Sequence, residues 1–584
     1  MTFFRVWAPR ARRVDLVLRR DERHALHGPD EMGWFSLRVQ GAGPGDDYAY
    51  SLDGGDPRPD PRSPWQPEGV HGPSRLVDHS AFSWTDDGWR GGVALADAVI
   101  YELHVDTFSP EATYDGVISK LDHLVDLGVT TVELLPVVEY PGRWGWGYDG
   151  VDLYAPKSGD GGPEGLKRLV DACHARGLSV IIDVVYNHLG PSGNYLGLYG
   201  PYFTDRYATP WGEAVNLDGP DSDPVREFVI DNALMWLRDY HADGLRLDAV
   251  HAIVDTSATH ILEELAGRVD ELEADLGLPK FLIAESDLND PRIVADREVG
   301  GYGMDAQWSD DFHHALHAHL TGERAGYYAD FGSVAQLAKA LRQGFVYDGS
   351  YSPHRRRRHG RTPAGIPLTR FLGYLQNHDQ VGNRAHGERS SMLLGDGLLK
   401  VAAAIVLLGP SVPMLFQGEE WGASTPFLYF TDHDDPELGK AVTEGRRREF
   451  ASFGWDPADV PDPQDPETFR RSKLDWDEPA QPPHAGLLDW HKRLIALRRS
   501  TQEAAGRSNG GGGAGGDVHV DFDEEGRWLV LSRGPVAVAA NLGPERATIS
   551  VPPGDVVLSS VDDPVVGDGR AVLPPESVIV VKAG

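Results

Sequence analysis

The chain contains the stretch Gly244-Leu245-Arg246-Leu247-Asp248-Ala249-Val250-His251, which has the pattern of a short buried strand with charged residues near its carboxyl end. Alternate side chains of a strand share a face, so Arg246 and Asp248 are expected on one face and Leu245 and Leu247 on the other. A guanidinium beside a buried carboxyl group favours the ionised form of that carboxyl group. An ionised carboxylate can act as a nucleophile towards a sugar. Taken alone, the pair is better explained as a structural ion pair.

Short apolar runs of this kind alternate with helical periodicity. With this stretch included they number eight: 98–105, 129–137, 179–185, 244–250, 281–284, 304–308, 371–375 and 412–416. Near-continuous apolar strands are typical of a parallel sheet that is covered on both faces. The pattern predicts an α/β fold, a (β/α)8 TIM barrel. An open doubly wound sheet is the alternative, and it is disfavoured because no glycine-rich dinucleotide loop follows the first run.

Three helices between these strands are predicted from apolar periodicity and end signals. The first has Ile118, Leu121, Leu124 and Val125 on one face and Gly128 as its C-cap. The second has Leu166, Leu169, Val170 and Cys173, with Gly177 after it. The third begins at Asp223-Pro224, where proline suits the first turn. It carries Phe228, Val229, Ala233, Trp236 and Leu237.

Composition shifts predict three domains. Residues 1–90 alternate as strands and predict a small β-sandwich of a carbohydrate-binding kind, with an extended proline-rich linker at 57–64. Residues 91–505 form the catalytic barrel, with a long loop at 187–223 after its third strand and a last helix at 487–499. Residues 506–584 predict a C-terminal β-sandwich, preceded by a flexible glycine-rich tract at 509–516.

Bulk properties exclude several classes of function. A net charge of −34 argues against nucleic-acid binding and suits a neutral polar substrate. The basic run at 355–361 is interpreted as a solvated loop. Cys173 is the single cysteine, so no intrachain disulfide can form. No signal peptide is recognised, and the longest apolar run, 401–408, is too short to span a membrane. We expect a cytoplasmic protein without a membrane partner.

Charged residues follow five of the predicted strands, at the end where barrel enzymes carry their active sites. They are Asp183 to His188 after strand three, Arg246, Asp248 and His251 at strand four, Glu285 after strand five, Asp310 and Asp311 after strand six, and Asn377-His378-Asp379 after strand seven. A charged side chain directly after an apolar run costs free energy when it is buried, unless it forms an ion pair. Such a residue therefore has either a structural partner or a catalytic role. The convergence of these charged residues on one rim favours an active site over isolated structural pairs.

Three carboxylates without a Ser-His-Asp pattern or metal-ligand cysteines suit glycoside hydrolysis. Arg246 favours ionised Asp248 as the nucleophile. Glu285 has no cation next to it in sequence and could keep its proton as the general acid. Asp379 could hold sugar hydroxyls. Tyr148 and the cluster Trp144–Trp146 offer faces for a sugar ring or, equally, core packing.

His313, His314 and His317 have the spacing of helical metal ligands, but the acidic partner of a zinc hydrolase helix is missing. Substrate hydrogen bonds or capping are favoured, and neither a metal nor a cofactor is predicted.

Four motifs in chain order resemble the alpha-amylase family of glycoside hydrolases. They are Asp183-Val184-Val185-Tyr186-Asn187-His188, Gly244-Leu245-Arg246-Leu247-Asp248, Ala284-Glu285 and Asn377-His378-Asp379. The resemblance implies a retaining mechanism with Asp248 as nucleophile, Glu285 as acid/base and Asp379 as transition-state stabiliser. It also implies that the residues around the reacting sugar include Tyr148, His188, Arg246 and His378.

Further motifs, at 69–74, 145–152, 308–314, 376–384 and 416–420, narrow the resemblance to one branch of that family. This implies maltooligosyltrehalose or a related α-glucan as substrate, with cleavage of the α-1,4 bond next to the terminal trehalose unit and release of trehalose. The expected substrate-binding residues then also include Asp149, His251, Asp310, Asp311, His314, Gln380 and Asn383. Val250 stands where many family members have lysine, so amylase-like reducing-end contacts are not expected.

Two alternatives stay open. A glycogen branching or debranching enzyme of the same family would also carry an N-terminal sandwich on such a barrel. A non-catalytic glycan-binding protein is the remote alternative. Such a protein could lose a catalytic carboxylate, and the presence of all three in this sequence disfavours it.

Overall fold

The computed structural model describes residues 1–452, 460–508 and 518–583. Its centre is a closed barrel of eight parallel strands, which confirms the predicted fold class. In chain order the barrel strands are Ile100–Leu103, Thr131–Leu134, Ser179–Val184, Gly244–Leu247, Phe281–Ala284, Ala306–Trp308, Phe371–Gly373 and Val412–Phe416. Every residue of these strands is buried, as expected for strands covered on both faces. All eight predicted apolar runs therefore contain a barrel strand.

Helices cover the barrel between and after these strands. They are Val105–Phe108, Tyr114–Ile118, Leu121–Leu127, Gly162–His174, Leu196–Tyr199, Asp223–Asp239, Ile261–Leu276, Asp310–Thr321, Val334–Gln343, His378–Gly382, Ser390–Leu393, Asp396–Leu408, Pro436–Ser452, Pro466–Arg471 and His484–Ser508. Among these described helices none is long and apolar enough to cross a membrane.

The three helices predicted from periodicity differ in outcome. The apolar faces at 166–173 and 228–237 are buried in the helices Gly162–His174 and Asp223–Asp239. The first prediction was wrong about continuity, because a turn at Ser119 and Lys120 separates the helix Tyr114–Ile118 from the helix Leu121–Leu127. Val125 then points to solvent and is 43% exposed. Gly128 does cap the second piece, with φ 96°, a conformation that favours glycine.

Two predicted loops contain regular structure. The segment 187–223 holds the helix Leu196–Tyr199 and an antiparallel hairpin of Phe203–Thr209 with Gly212–Val215. The basic run is not only a loop, because Arg357–Gly360 pairs with Asp348–Ser352 as a second hairpin. Its Arg355 binds Asp287, two residues after the predicted acid Glu285, at 2.9 Å. A third short pair, Val138–Glu139 with Asp152–Pro156, also lies outside the barrel.

Antiparallel sheets flank the barrel at both ends of the chain. The N-terminal strands are Thr2–Trp7, Val14–Leu18, Glu22–Ala25, Trp34–Val39, Asp47–Leu52 and Ser74–Arg75, in sheets of two and four strands. Phe4 and Tyr48 bring the two sheets together with ring centroids 5.3 Å apart. The C-terminal strands are Val518–Asp523, Trp528–Arg533, Val536–Asn541, Ala547–Ser550, Asp555–Ser559, Val565–Gly567, Arg570–Leu573 and Ser577–Lys582, in sheets of five and three strands.

The predicted boundaries at residues 90 and 505 stay predictions, and the glycine-rich tract at 509–516 lies outside the described residues. The last barrel helix extends over His484–Ser508, beyond the predicted 487–499.

Candidate active site

The fourth and fifth barrel strands place two carboxyl groups side by side. Leu247 and Ala284 are partners in the parallel ladder, and Asp248 and Glu285 directly follow them. The backbone N–H of Glu285 donates to the Leu247 carbonyl at 3.0 Å, and the N–H of Val250 donates to the Glu285 carbonyl at 3.0 Å. Asp379 follows the seventh strand in the chain and lies in the first turn of the short helix His378–Gly382.

These three carboxylates line one cavity of about 650 Å³ at the carboxyl end of the barrel. The remaining lining residues are Trp146, Tyr148, Asp149, His188, Pro210, Trp211, Ala249, His251, His378, Asn383, Tyr429, Thr431 and Arg446. A cavity with aromatic walls and a few convergent polar groups is the ordinary form of a small-ligand site. The structure therefore brings the three predicted catalytic residues together.

Arg246 is fully buried beneath the cavity and contacts three carboxyl groups. Its Nη1 lies 2.6 Å from Asp183 Oδ2 and 3.0 Å from Asp248 Oδ1, and its Nη2 lies 2.9 Å from Glu285 Oε2. Glu285 has no cation next to it in sequence, but in the structure it shares Arg246 with Asp248. The fourth and fifth strands are neighbours, so one guanidinium reaches both side chains although only Asp248 is near it in sequence.

Burial raises the pKa of Asp248 well above its ordinary value, and the positive charge of Arg246 opposes that rise. Glu285, Asp183 and Asp379 raise the same pKa through their negative charges. Burial therefore favours the neutral form of Asp248, and the positive charge of Arg246 favours the ionised form. Arg246 itself stays protonated, because the carboxylates outweigh its desolvation and raise its pKa.

A chain of hydrogen bonds surrounds this cluster. The Tyr148 hydroxyl donates to Asp183 Oδ2 at 2.7 Å and lies 2.8 Å from His378 Nε2. His378 Nδ1 lies 2.6 Å from Glu102 Oε1. Burial disfavours the charged imidazole, yet the carboxylates of Asp379 and Glu102 raise the pKa of His378 to about 9. His378 is therefore a second cation of the site at neutral pH, and it donates to both Glu102 and Tyr148.

Several predicted substrate-binding residues do face the cavity. Besides Tyr148 and His378, these are Asp149, His188, His251 and Asn383. His188 Nε2 lies 3.0 Å from the Tyr148 carbonyl oxygen, and its ring is stacked on Trp211 with centroids 4.5 Å apart. Trp146 lines the cavity while its ring packs on Phe427, whereas Trp144 stacks on Phe469.

Other predicted binding residues hold the fold instead. Asp311 accepts hydrogen bonds from Asn289 and from the backbone N–H groups of Val346 and Tyr347, each at 2.7 Å. Gln380 closes a capping box with Asn377 at the start of the helix His378–Gly382. Neither lines the cavity. Asp311 is held by Asn289 and by the backbone at 346–347, and Gln380 is held by the N-terminal cap of its own helix.

Asp310 and His314 do not line the cavity. Asp310 accepts from the Tyr374 hydroxyl at 2.6 Å, and burial, with Glu285 adding negative charge, raises its pKa to about 8. The His314 ring packs among Tyr327, Tyr328 and Phe331. Burial lowers the pKa of His314 to about 3, so the ring is neutral.

The histidines with metal-like spacing each have another partner. His313 lies between the Leu375 carbonyl, at 2.7 Å, and the Tyr328 hydroxyl, at 2.8 Å. His317 pairs with Glu323 at 2.9 Å. Within the part of the chain that the structure describes, no group of three or more His, Cys, Asp or Glu residues is arranged to hold a metal ion.

Sequence reasoning missed three important residues. Glu102 lies within the first apolar run and was not singled out. A carboxylate in a buried strand is rarely found without a partner, so its position could have indicated a functional role. Trp211 lies at the tip of the hairpin after the third strand, and only the length of that segment pointed to a role. Arg446 reaches the cavity from the helix Pro436–Ser452, far from every motif, and nothing in its local sequence marks it.

Comparison with known proteins is consistent with this geometry. The family model of the alpha amylase catalytic domain matches residues 86–197, and carbohydrate-binding module 48, the isoamylase N-terminal domain, matches residues 1–66. A domain of unknown function, DUF3459, matches residues 513–580. The N-terminal match agrees with the predicted carbohydrate-binding sandwich.

Whole-length relatives are more specific. The chain is 56% identical over 545 residues to a malto-oligosyltrehalose trehalohydrolase from Arthrobacter ramosus, with 93% of each chain covered. It is 52% identical to the enzyme of that name from Rhizobium sp. (strain M-11), with 99% of this chain and 97% of the relative covered. A crystal structure from Salmonella typhimurium, provisionally assigned as an alpha amylase, superimposes with a TM-score of 0.90 at 39% identity, covering 100% of this chain and 97% of that one.

Proposed function

This chain belongs to the malto-oligosyltrehalose trehalohydrolases of the alpha-amylase family, and we propose that it hydrolyses the α-1,4-glucosidic bond adjacent to the terminal trehalose unit of maltooligosyltrehalose. The reaction releases trehalose and a shortened maltooligosaccharide. The observation that carries the assignment of the site is the convergence of Asp248, Glu285 and Asp379 on one cavity above the shared cation Arg246.

Asp248 acts as the nucleophile in a double displacement. One of its carboxylate oxygens attacks the anomeric carbon of the glucose unit, and the bond from that carbon to O4 of trehalose breaks. Glu285 gives its proton to this oxygen, and trehalose leaves. Water then attacks the glucosyl ester, Glu285 takes a proton from the water, and Asp248 is released as a carboxylate. Arg246 lies 3.0 Å from Asp248 Oδ1 and favours the ionised form that the first step requires.

The two oxygens of Glu285 have different tasks. Arg246 Nη2 and the backbone N–H of Ala249 both donate to Oε2, at 2.9 and 2.7 Å. An oxygen that accepts two hydrogen bonds is a poor place for a proton. Oε1 is therefore the oxygen that carries the proton and exchanges it with the glycosidic oxygen, and the two donors on Oε2 fix the direction in which Oε1 points.

Asp379 stabilises the sugar as positive charge develops on its ring. Asp379 is the most exposed of the three carboxylates, with 38% of its side chain accessible, against 11% for Asp248 and 16% for Glu285. This exposure suits a group that hydrogen-bonds sugar hydroxyls from the side of the cavity. Tyr148 stacks on His378 with ring centroids 5.2 Å apart and offers a flat face beside the reacting sugar.

The substrate is a neutral glucan, which agrees with the carbohydrate-binding module at the N-terminus and with a surface whose net charge of −34 disfavours nucleic acid. The cytoplasm is the proposed compartment, because the single cysteine, Cys173, is a buried free thiol.

Product analysis tests this function. Purified protein is incubated separately with maltotetraosyltrehalose and with a branched α-glucan, and the products are separated by anion-exchange chromatography. We expect trehalose and maltotetraose from the first substrate and no change in the branch pattern of the second. Transfer or removal of branches without trehalose release would instead support the branching or debranching alternative. Asp248→Asn is the matched inactive control, and unchanged release of trehalose by that variant would refute its role as nucleophile.

A further inference from the structure

We propose that Arg446 is a positioning residue for Asp379, acting through the side-chain amide of Asn383. The inference rests on the function proposed above and adds to it a residue that none of the sequence motifs contains. Arg446 lies on the helix Pro436–Ser452, after the eighth barrel strand, and lines the cavity together with residues from the segment after the third strand, such as Trp211 and His188.

Two hydrogen bonds link Arg446 to Asp379 through one amide. Arg446 Nη1 donates to Asn383 Oδ1 at 3.0 Å, and Asn383 Nδ2 donates to Asp379 Oδ1 at 3.0 Å. A guanidinium has only donors, so it fixes which end of the amide faces it. The amide nitrogen must then face the carboxylate. Without the cation, the amide could turn over and present its oxygen to Asp379, which would be repulsive.

Arg446 also holds the helix that carries Asp379. Its Nη2 donates to the Gly382 carbonyl at 3.0 Å, at the carboxyl end of the helix His378–Gly382. A cation at this end of a helix is favourable, because the last carbonyls are unpaired and carry partial negative charge. The same helix packs against Trp146, so closely that a Cβ on Gly382 would lie 2.0 Å from the indole ring. The carboxyl end of the helix is therefore held by contacts with both Trp146 and Arg446.

The guanidinium is itself held by aromatic packing. Its central carbon lies 4.5 Å from the centroid of the Tyr429 ring, within cation–π distance. Tyr429 in turn packs edge-on against Trp146, with ring centroids 5.1 Å apart. Arg446, Tyr429 and Trp146 thus form one wall. That wall orients the side-chain amide of Asn383, while the backbone N–H of Asn383 donates to the Asp379 carbonyl at 2.8 Å.

Asp379 is the carboxylate that needs such support. Arg246 holds Asp248 and Glu285 directly, whereas His378 lies 3.6 Å from Asp379. A distance of 3.6 Å is too long for a good hydrogen bond. The hydrogen bond from Asn383 therefore orients the carboxylate, and its orientation matters most when charge develops in the transition state.

A double-mutant cycle tests the proposal on maltotetraosyltrehalose, with wild type, Arg446→Ala, Asn383→Ala and the double variant. Loss of one hydrogen bond to a charged group predicts a fall in kcat of about 10- to 100-fold for each single variant, with KM changed by less than about 3-fold. The double variant should be no slower than the slower of the two single variants, because both substitutions break the same chain of hydrogen bonds from Arg446 through Asn383 to Asp379. Arg446→Lys keeps the charge but cannot make both hydrogen bonds, and it should recover part of kcat.

Arg448→Ala is the control, since Arg448 lies on the same helix, is 73% exposed and pairs only loosely with Glu444 at 3.9 Å. It should have wild-type kinetics. If the losses of the two single variants multiply in the double variant, or if Arg446→Ala raises KM with kcat unchanged, Arg446 binds substrate directly and the proposal is overturned.

Folding and the proposed function are checked separately. Should Arg446→Ala unfold near the assay temperature, the cycle is run with Arg446→Lys instead, and the same non-additivity is expected. A wild-type protein that releases no trehalose would refute the proposed function. Trehalose release by the wild type together with an additive cycle would refute only the role of Arg446.

Discussion

Replacement of Arg246 by methionine removes the cation that three carboxyl groups share while keeping a long apolar side chain in the barrel. In the structure this guanidinium contacts Asp183, Asp248 and Glu285 at 2.6 to 3.0 Å and has no exposed surface. Removal of one partner from a buried ion pair costs about 3–5 kcal/mol, because the remaining charge stays buried without compensation. We expect Arg246→Met to lower the free energy of unfolding by an amount in that range at pH 7.

The loss should depend on pH in a defined direction. Burial raises the pKa values of Asp183 and Asp248 in the folded state, and Arg246 opposes this rise. Without Arg246 the folded-state pKa values move further above the unfolded value of about 3.9. A carboxyl group whose pKa is raised by folding destabilises the protein above that pKa and ceases to do so when it is protonated. The difference in stability between variant and wild type should therefore shrink as the pH falls from 7 towards 5.

Urea unfolding followed by circular dichroism at pH 5, 6 and 7 measures this dependence, and trehalose release measures activity. Arg498→Met is the matched control: Arg498 is equally buried but donates to the neutral carbonyls of Leu407, Gly409 and Ser411. Its destabilisation should be constant over the same pH range, and the chemical step should be retained. Arg246→Met should lose at least about 10²- to 10³-fold in kcat. A pH-independent loss of stability in Arg246→Met, or activity close to wild type, would refute the reasoning.

Two further changes test other walls of the site. His378→Asn should lower the free energy of unfolding at pH 6, where the imidazole is fully charged. The difference from wild type should disappear as the pH rises through the folded pKa of about 9. A difference that is constant from pH 6 to 10 would show that His378 is not a cation. Trp211→Ala should raise KM by about 10- to 100-fold, as expected for the loss of about 1.5–3 kcal/mol from a large aromatic contact. The free energy of unfolding should change little, because Trp211 is 48% exposed and stacked on His188. Unchanged steady-state kinetics of that variant would mean that the hairpin tip does not contact substrate.

The fold was predictable because barrel strands are short, buried on both faces and therefore apolar throughout. Strands at 281–284 and 412–416 have the predicted bounds, whereas the run at 98–105 shortens to Ile100–Leu103. Apolar residues at both ends of that run, such as Val99 and Val105, are buried by neighbouring segments rather than by the strand ladder. The break after Ile118 was not predictable from periodicity, since a short turn can preserve the spacing of buried residues while it interrupts the helix.

The candidate site was predictable where chemistry follows a strand directly. Asp248 and Glu285 come immediately after buried strands, and the geometry of a closed barrel then places them together. Contacts between distant segments carried no local signal. Arg246 serves Glu285 as well as Asp248 because two strands are neighbours, and Arg446 meets Asn383 only after the chain has completed the barrel. Gln380 illustrates the converse, because the start of a helix uses the same residue types for capping that a binding site would use for sugar hydroxyls. Asp311 is instead held by Asn289 and by the backbone at 346–347.

The most direct test of the central claim is the capture of the glucosyl–enzyme ester. In Glu285→Gln the leaving group cannot be protonated, but α-maltotriosyl fluoride needs no acid because fluoride departs unaided, and the ester then lacks the base that would hydrolyse it. Mass spectrometry of the digested variant should find one maltotriosyl group, on the peptide that contains Asp248. A label on any other residue, or no label while the wild type consumes the fluoride, would contradict the account.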